Sequence, residues 1–246
     1  MNNGLTAAER LIVAADPMPT QEDQVWAVGE KVLALAKVLK GTGVYIKVNS
    51  VLRACGYRFI DQLHDRGVRV FADLKLFDIP KTLEIDGALL RKVNPELLTV
   101  ACAAGGQSMR ALKHELPGAE VLGVTVLTSN DEHDSQAMFS RSTADAVLRF
   151  AEIASVAGVD GLISSPAEVE ILRKQFGRRL TYNTPAIRPE WSVVAGDDQN
   201  PARIMTPARA IRAGADRIVV GRPITEAKDP RAAVMRTLDE IESAMG

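Results

Sequence analysis

Short apolar segments alternate with longer amphipathic segments along the whole chain. The short segments have the length and the Val, Ile and Leu content of buried parallel strands, and the longer ones repeat apolar residues at helical spacing. Strands are predicted at residues 11–15, 44–49, 68–74, 97–101, 120–126, 161–164, 179–183 and 217–220. Helices are predicted at residues 21–39, 51–66, 80–93, 108–115, 143–157, 166–175, 207–213 and 229–244. Two stretches show neither pattern and are expected to be loops, residues 130–140 and 184–201.

This alternation predicts an α/β protein with the architecture of a TIM (β/α)8 barrel. The chain has 246 residues, close to the length of about 250 residues that is typical of the fold. Because the composition does not change along the chain, we expect a single domain over residues 1–246. A doubly wound open sheet is the alternative, but no glycine-rich fingerprint follows the first strand.

Charge and cysteine content argue against several classes of function. The formal net charge is −1, whereas a nucleic-acid-binding domain is typically strongly basic. The two cysteines, Cys55 and Cys102, indicate no disulfide framework, and no Cys/His cluster has the spacing of a zinc site. No apolar run is long enough to span a membrane, and residues 1–10 lack the apolar core of a signal peptide. These features predict a cytoplasmic protein with no metal site that binds neither nucleic acid nor membranes.

The third predicted strand runs into charged residues with the spacing D-x-K-x-x-D, formed by Asp73, Lys75 and Asp78. Side chains alternate between the two faces of a strand, so Asp73 and Lys75 share a face. A charge at the end of a buried strand costs several kcal/mol, roughly, unless it is paired with an opposite charge or serves a function. A strand-end ion pair followed by a helix beginning at Pro80 would also explain this motif.

The same alternation places two more charged residues inside the predicted barrel, Asp16 after the first strand and Lys47 in the second. Active sites of such barrels lie at the C-terminal ends of the strands. Asp16, Lys47, Asp73 and Lys75 should therefore meet there as a neutral cluster. One charged residue at a strand end is ordinary, but four that converge favour a function.

The end of the eighth strand predicts a phosphate site. Barrels often bind phosphate at the loops after strands seven and eight, and Gly221 and Arg222 follow strand eight. Glycine lets the main chain approach an anion, and arginine can donate two hydrogen bonds to it. A turn with a surface arginine is the alternative. The loop at 184–201 is long enough to be a lid or a binding loop.

Taken together, these motifs resemble those of the orotidine 5'-phosphate decarboxylase family. The similar segments are residues 13–16, 46–48, 73–80 with Thr82, 124–129, 184–185 with 187–189, 196–197 with Gln199, 203–207 and 220–223. The D-x-K-x-x-D motif alone is shared by a wider group of phosphate-binding barrels, whereas the whole set in this order is specific.

The resemblance implies a homodimer that converts orotidine 5'-phosphate to uridine 5'-monophosphate (UMP) and CO2 without a cofactor. It implies that Lys75 stabilises and protonates a carbanion at C6 of the pyrimidine. The implied catalytic residues are Lys47, Asp73, Lys75 and Asp78, with Asp78 and Thr82 contributed across the dimer interface. The implied binding residues are Asp16, Lys47, Asp73 and Thr82 near the ribose and the reacting group, Thr128 at the pyrimidine, and Arg188, Gln199, Gly221 and Arg222 at the phosphate.

The sequence departs from this family at a few positions outside the charged cluster. The family usually has glycine where Asn49 and Ala186 stand, and commonly asparagine where Lys81 stands. It usually has a histidine near the end of strand four, where this chain has Ala101 and Cys102. We expect Asn49 and Ala186 to affect the main chain of two loops.

Two other functions remain open from the sequence. Related barrels act on sugar phosphates, as metal-dependent decarboxylases or aldolases. These barrels have an acidic residue at the position where this chain has Lys47. A lysine there would repel a divalent cation. The second alternative is a barrel that binds a nucleotide without catalysis, which the intact charged cluster disfavours.

Overall fold

Eight parallel strands close into a barrel in sequence order, which confirms the predicted TIM barrel. The computed structural model describes residues 4–192 and 205–246. The strands are β1 Leu11–Ala14, β2 Tyr45–Val48, β3 Arg69–Leu76, β4 Leu97–Ala101, β5 Glu120–Val124, β6 Gly161–Ile163, β7 Thr181–Thr184 and β8 Arg217–Val220. Each pairs with its neighbours, and β8 closes the barrel against β1.

Helices cover the outside of this barrel. In the described residues they are α1 Ala7–Arg10, α2 Val25–Leu39, α3 Ser50–Cys55, α4 Arg58–His64, α5 Pro80–Leu90, α6 Gly105–Glu115, α7 Glu132–Phe139, α8 Thr143–Ala157, α9 Val169–Phe176, α10 Pro207–Arg212, α11 Arg222–Thr225 and α12 Pro230–Met245. None of the helices in this part of the chain is long and apolar enough to cross a bilayer.

Apolar side chains pack in two places. The larger core lies between the strands and the helices, and a smaller one fills the barrel itself. The interior core consists of Ile12, Tyr45, Phe71, Leu97, Leu122 and Val219. Asp16, Lys47 and Asp73 are each an even number of residues from an interior residue of the same β/α unit. The charged side chains should therefore face the barrel interior as well.

The end of the barrel at the strand N-termini is closed by an ion pair whose arginine is buried. Arg217, at the start of β8, is 1% exposed and donates to both carboxylate oxygens of Glu120 at 2.9 and 2.6 Å. The Arg217 guanidinium also lies 5.5 Å from the centre of the Tyr45 ring. Because these side chains fill the N-terminal end, a ligand is expected to enter at the C-terminal end of the barrel.

The structure differs from the prediction in a polar segment and in a helix. The expected loop at 130–140 contains helix α7, whose N-terminus is stabilised by reciprocal hydrogen bonds between Asp131 and Asp134. Its last residue, Phe139, packs edge-on against Phe150 at 5.1 Å. The single helix predicted at 51–66 is two helices, α3 and α4, because Gly56 has a φ of 79° and ends the first one.

Strand β3 is longer than predicted and irregular where it carries the charged motif. Its register with β4 shifts between Ala72 and Leu76. Lys75, inside this shift, has a φ of 48°, a left-handed conformation that is unusual for a residue with a side chain. Main-chain strain of this kind concentrates at functional sites, so the irregularity singles out Lys75.

Candidate active site

The four charged side chains predicted to meet do so at the C-terminal end of the barrel. Lys47 Nζ lies 3.2 Å from Asp16 Oδ2 and 3.1 Å from Asp73 Oδ2. Lys75 Nζ lies 2.8 Å from the same Asp73 oxygen. We call these four residues the charged array. The two ammonium groups share one oxygen of the Asp73 carboxylate. The contact between Lys47 and Asp16 holds Lys47 near the end of β1.

Asp73 is the centre of the array and is only 7% exposed. Burial raises the pKa of its carboxyl group, but the charges and hydrogen bonds of Lys47 and Lys75 lower that pKa by more. The result is a pKa below the ordinary value for aspartate. Asp73 is therefore a carboxylate at neutral pH, and a negative charge is held beside the two ammonium groups.

Main-chain N–H groups that follow β2 hold the Asp16 carboxylate. Its carboxylate accepts hydrogen bonds from the N–H of Asn49, at 2.9 and 3.1 Å, and from the N–H of Val51, at 3.3 Å. These N–H groups belong to the start of α3, where a helix favours a negative charge. Asp16 thus orients Lys47 from a fixed position.

Asn49, one of the departures from the family pattern, also reaches the array. Its side-chain amide lies 3.5 Å from Asp73 Oδ2. Its φ of −123° lies outside the left-handed region that favours glycine. The substitution places a side-chain amide beside Asp73, where glycine would leave none.

Thr99 is a residue of the site that sequence reasoning missed. It lies in β4, inside the apolar segment LLTVA, and is fully buried. Its Oγ1 accepts a hydrogen bond from the Lys75 N–H and donates one to Asp73 Oδ1, both at 2.9 Å. The available signal was a hydroxyl at an inward-facing position of a strand, next to the strand that carries the motif.

Asp78 and Thr82 lie on the segment that leads from β3 into α5. Asp78 is exposed, and its Oδ1 accepts the N–H of Ile79 at 2.7 Å. Its carbonyl oxygen accepts a hydrogen bond from the Ser108 hydroxyl at 2.8 Å, which ties the segment to α6. Thr82 is half-buried in the first turn of α5. Among the ion pairs of the described residues, the array includes Asp16 and Asp73 of this chain but not Asp78.

The surface around Asp78 is apolar. Phe77 and Ile79 are each 65% exposed, and Ile85 and Leu89 on α5 are more than half exposed. Next to them is a hollow of about 590 Å3, lined by residues 77–80 and 103–108. Exposed apolar patches of this kind mark interaction surfaces.

The described residues of the predicted phosphate site follow β7 and β8, and the predicted pyrimidine residue follows β5. Gly221 precedes α11, and Arg222 is exposed at the first position of that helix. Arg188 is buried, and its N–H donates to the Met205 carbonyl at 3.0 Å, so the two described ends of the long loop are joined. Thr128 is half-buried just after β5. Gln199 and half of the predicted loop, residues 193–201, lie outside the described residues.

Ala186, the other loop departure from the family, has a φ of 61°. The left-handed region costs a residue with a Cβ roughly 1–2 kcal/mol, and glycine avoids that cost. The family preference for glycine therefore has a conformational reason at this position, and this chain carries the strained alternative.

A metal site and a reactive thiol find no support in the described residues. They contain no group of three or more His, Cys, Asp or Glu side chains that could hold a metal ion. Burial raises the pKa of the Cys102 thiol to about 12, so this cysteine is a core residue.

Comparisons with known proteins agree with this geometry. A model of the orotidine 5'-phosphate decarboxylase / HUMPS family matches residues 9–237. An orotidine 5'-phosphate decarboxylase of Methylobacterium sp. (strain 4-46) is 38% identical over 99% of this chain and 100% of its own. One of Synechococcus sp. (strain CC9311) is 38% identical over 92% of this chain and 93% of its own.

A solved structure gives the same result. The crystal structure of orotidine 5'-phosphate decarboxylase from Lactobacillus acidophilus superposes with a TM-score of 0.78 at 31% identity, and the match covers 95% of this chain and 99% of that one. The array, the barrel and the extent of these matches lead to one conclusion. The chain belongs to the orotidine 5'-phosphate decarboxylase / HUMPS family.

Proposed function

We propose that this protein decarboxylates orotidine 5'-phosphate to UMP and CO2, a step of pyrimidine biosynthesis. The observation that carries the proposal is the sharing of Asp73 Oδ2 by two ammonium groups at 3.1 and 2.8 Å, at the C-terminal end of the barrel. Relatives named for this reaction match the chain over nearly its whole length.

The reaction leaves an electron pair on C6 of the pyrimidine when the bond to the departing CO2 breaks. The pyrimidine offers no obvious electron sink for that pair, so positive charge from the protein must stabilise it. In the proposed mechanism the Lys75 ammonium faces C6, and an N–H bond of Lys75 breaks as the C6–H bond forms. Charge that is already in place in a water-poor site is usually the largest catalytic term.

The other members of the array have supporting roles in this proposal. Asp73 lies near the substrate carboxylate, where it disfavours the bound substrate or directs Lys75 towards C6. Lys47 and the partner's Asp78 hold the alternating charges in place. Lys47 would also contact the ribose, together with Asp16 and Thr82.

The phosphate supplies binding energy far from the reacting carbon. We assign it to Arg188, Gln199, Gly221 and Arg222, and we assign the pyrimidine contact to Thr128. Binding energy from such remote groups can be used to order the loop and orient the base. Arg222 suits this role because its guanidinium can donate two hydrogen bonds to one phosphate.

We also propose a homodimer of single-domain subunits in the cytoplasm. The exposed Phe77 and Ile79 side chains flank Asp78, so covering this surface with a second subunit would bring Asp78 towards the partner's array. Thr82 would follow, since it lies in the first turn of the same helix. Two free cysteines suit a reducing compartment.

The nearest alternative is the activity of similar barrels that act on sugar phosphates, and the array disfavours it. A divalent cation bound by Asp73 would lie beside two ammonium groups that already contact its Oδ2. Repulsion at such distances is large in a partly buried site. A barrel that binds nucleotides without catalysis would gain nothing from a charged cluster, which is expensive compared with apolar packing.

The test is the loss of orotidine absorbance when EDTA-treated enzyme is added to orotidine 5'-phosphate. We expect turnover in EDTA, its abolition in Lys75→Ala, and its retention in the control Lys31→Ala, which changes a lysine on α2. Arg222→Ala should weaken UMP binding, whereas Arg149→Ala on α8 should not. No turnover in EDTA, or near-normal turnover in Lys75→Ala, would contradict the mechanism. Unchanged UMP affinity in Arg222→Ala would contradict the phosphate assignment.

A further inference from the structure

We infer that Thr99 is a positioning residue for the reaction, because one buried hydroxyl fixes both the main chain of Lys75 and the carboxylate of Asp73. The inference rests on the proposed function, since it concerns how the array is held for catalysis. Thr99 does not face the substrate in this role. It acts through the two residues that do.

The direction of each hydrogen bond follows from chemistry. The Lys75 N–H is a donor only, so Thr99 Oγ1 must accept it, at 2.9 Å. The single hydroxyl proton is then available for Asp73 Oδ1, also at 2.9 Å. Thr99 is 0% exposed, so water does not compete for either bond. The hydroxyl thus has one arrangement, with its donor and its acceptor functions both used.

This bond replaces a lost strand contact. The register between β3 and β4 shifts between Ala72 and Leu76, where an irregularity leaves main-chain groups without their usual partners. A buried N–H needs a partner, and the Thr99 side chain supplies it for Lys75. It also anchors a left-handed conformation, with a φ of 48°, that a lysine rarely adopts. The direction in which the Lys75 side chain leaves the strand depends on that conformation.

The second hydrogen bond gives the two oxygens of the Asp73 carboxylate different partners. Thr99 occupies Oδ1, and the ammonium groups of Lys47 and Lys75 both lie at Oδ2. A carboxylate that is held at one oxygen cannot rotate freely about its last bond. Asp73 Oδ2 therefore stays at the point where the two ammonium groups converge, and a neutral hydroxyl achieves this without changing the charge of the array.

The experiment compares three variants with the wild type. Thr99→Val replaces the hydroxyl by a methyl group of similar size, Thr99→Ser keeps the hydroxyl, and Thr237→Val makes the same change at a buried threonine of α12 that bonds the Ala233 carbonyl. We expect Thr99→Val to lower kcat about 10- to 100-fold, the range that a small misplacement of reacting groups produces. Its KM and its UMP affinity should stay near wild-type values, because the residues proposed to bind the phosphate and the pyrimidine are untouched.

Thr99→Ser should retain kcat within about threefold, since its hydroxyl can make both bonds, and Thr237→Val should behave like the wild type. The inference is wrong if Thr99→Val keeps wild-type kcat, or if Thr99→Ser loses as much as Thr99→Val. UMP binding and circular dichroism report whether each variant folds, and Thr99→Ala replaces any Thr99→Val that does not. A wild-type protein that releases no CO2 would instead refute the proposed function, so the two failures are distinguishable.

Discussion

Replacing Asp73 by asparagine tests the electrostatics of the array, because it removes one charge and keeps the shape. Two ammonium groups lie at 3.1 and 2.8 Å from the lost carboxylate oxygen. At an effective dielectric constant of about 20, each contact of about 3 Å corresponds to about 5 kcal/mol of direct attraction. Most of this is offset by the cost of removing the charges from water.

The net effect is limited by what the two lysines can do afterwards. Lys47 keeps its contact with Asp16 at 3.2 Å, and the Lys75 side chain is 31% exposed and can be solvated. Removing one partner of a fully buried pair costs about 3–5 kcal/mol, so we expect a smaller loss for Asp73→Asn, about 1–3 kcal/mol. The measurement is urea unfolding at pH 7, with Glu152→Gln as the control. That residue forms an exposed pair with Arg149 on α8 and should change stability by less than about 0.5 kcal/mol.

The pH dependence gives an independent check on the same variant. The pKa of Asp73 is lowered in the folded protein, so its contribution is fully present above the unfolded value of about 3.9 and is lost as the pH falls through the folded pKa. The difference in unfolding free energy between wild type and Asp73→Asn should therefore shrink on acidification, down to the lowest pH at which both still fold. A variant as stable as the wild type at pH 7, or a difference that disappears already well above about pH 3.9, would refute this account of the array.

Three further predictions concern the interface, a loop and a histidine. Ile79→Asp should convert the proposed dimer to monomers in sedimentation experiments, whereas Val156→Asp, which changes an equally exposed apolar residue on α8, should not. Ala186→Gly should raise the unfolding free energy by up to about 1 kcal/mol in urea denaturation, because it relieves a left-handed alanine; a loss of stability would contradict this. The hydrogen bond that the His64 ring donates to Glu96 raises the pKa of His64, so that pair stabilises the fold below about pH 6.5 and less as the pH rises through the folded pKa. His64→Gln should accordingly remove about 0.5–1 kcal/mol at pH 6 and less at pH 8, and a loss that is equal at both pH values would exclude the pair.

The array was predictable because two simple regularities act together. Side chains alternate along a strand, and the ends of parallel strands meet at one end of a barrel. Counting from Asp73 and from Lys47 was therefore enough to place both inside. Inward-facing residues at the ends of neighbouring strands lie close together in a barrel, so the prediction of a cluster required no distance.

Thr99 could not be predicted in the same way. Threonine is common in strands for conformational reasons, so a single one inside an apolar segment carries little information. Its role depends on the shift in register between β3 and β4, which leaves the Lys75 N–H for a side chain to bind. Such irregularities come from packing between strands, and a linear pattern does not contain them.

Helix α7 shows the opposite kind of error. Its sequence is polar, and a polar segment without apolar periodicity predicts a loop. The helix begins instead where Asp131 and Asp134 exchange hydrogen bonds with each other's main chain, and Ser135 is its buried residue. A cap of two aspartates is a weaker sequence signal than the usual pairing of serine or threonine with glutamate.

The two ends of the barrel interior use charge in different ways. At the N-terminal end, Arg217 donates one hydrogen bond to each carboxylate oxygen of Glu120, so each oxygen has a donor of its own. At the C-terminal end, Asp73 Oδ2 is shared by Lys47 and Lys75, so each ammonium keeps donors that this carboxylate does not use. An ion pair that serves stability alone would be expected to resemble the first. The unused donors of the second point to an anionic group that arrives from outside the chain, and this is the property that a decarboxylase of a negatively charged substrate requires.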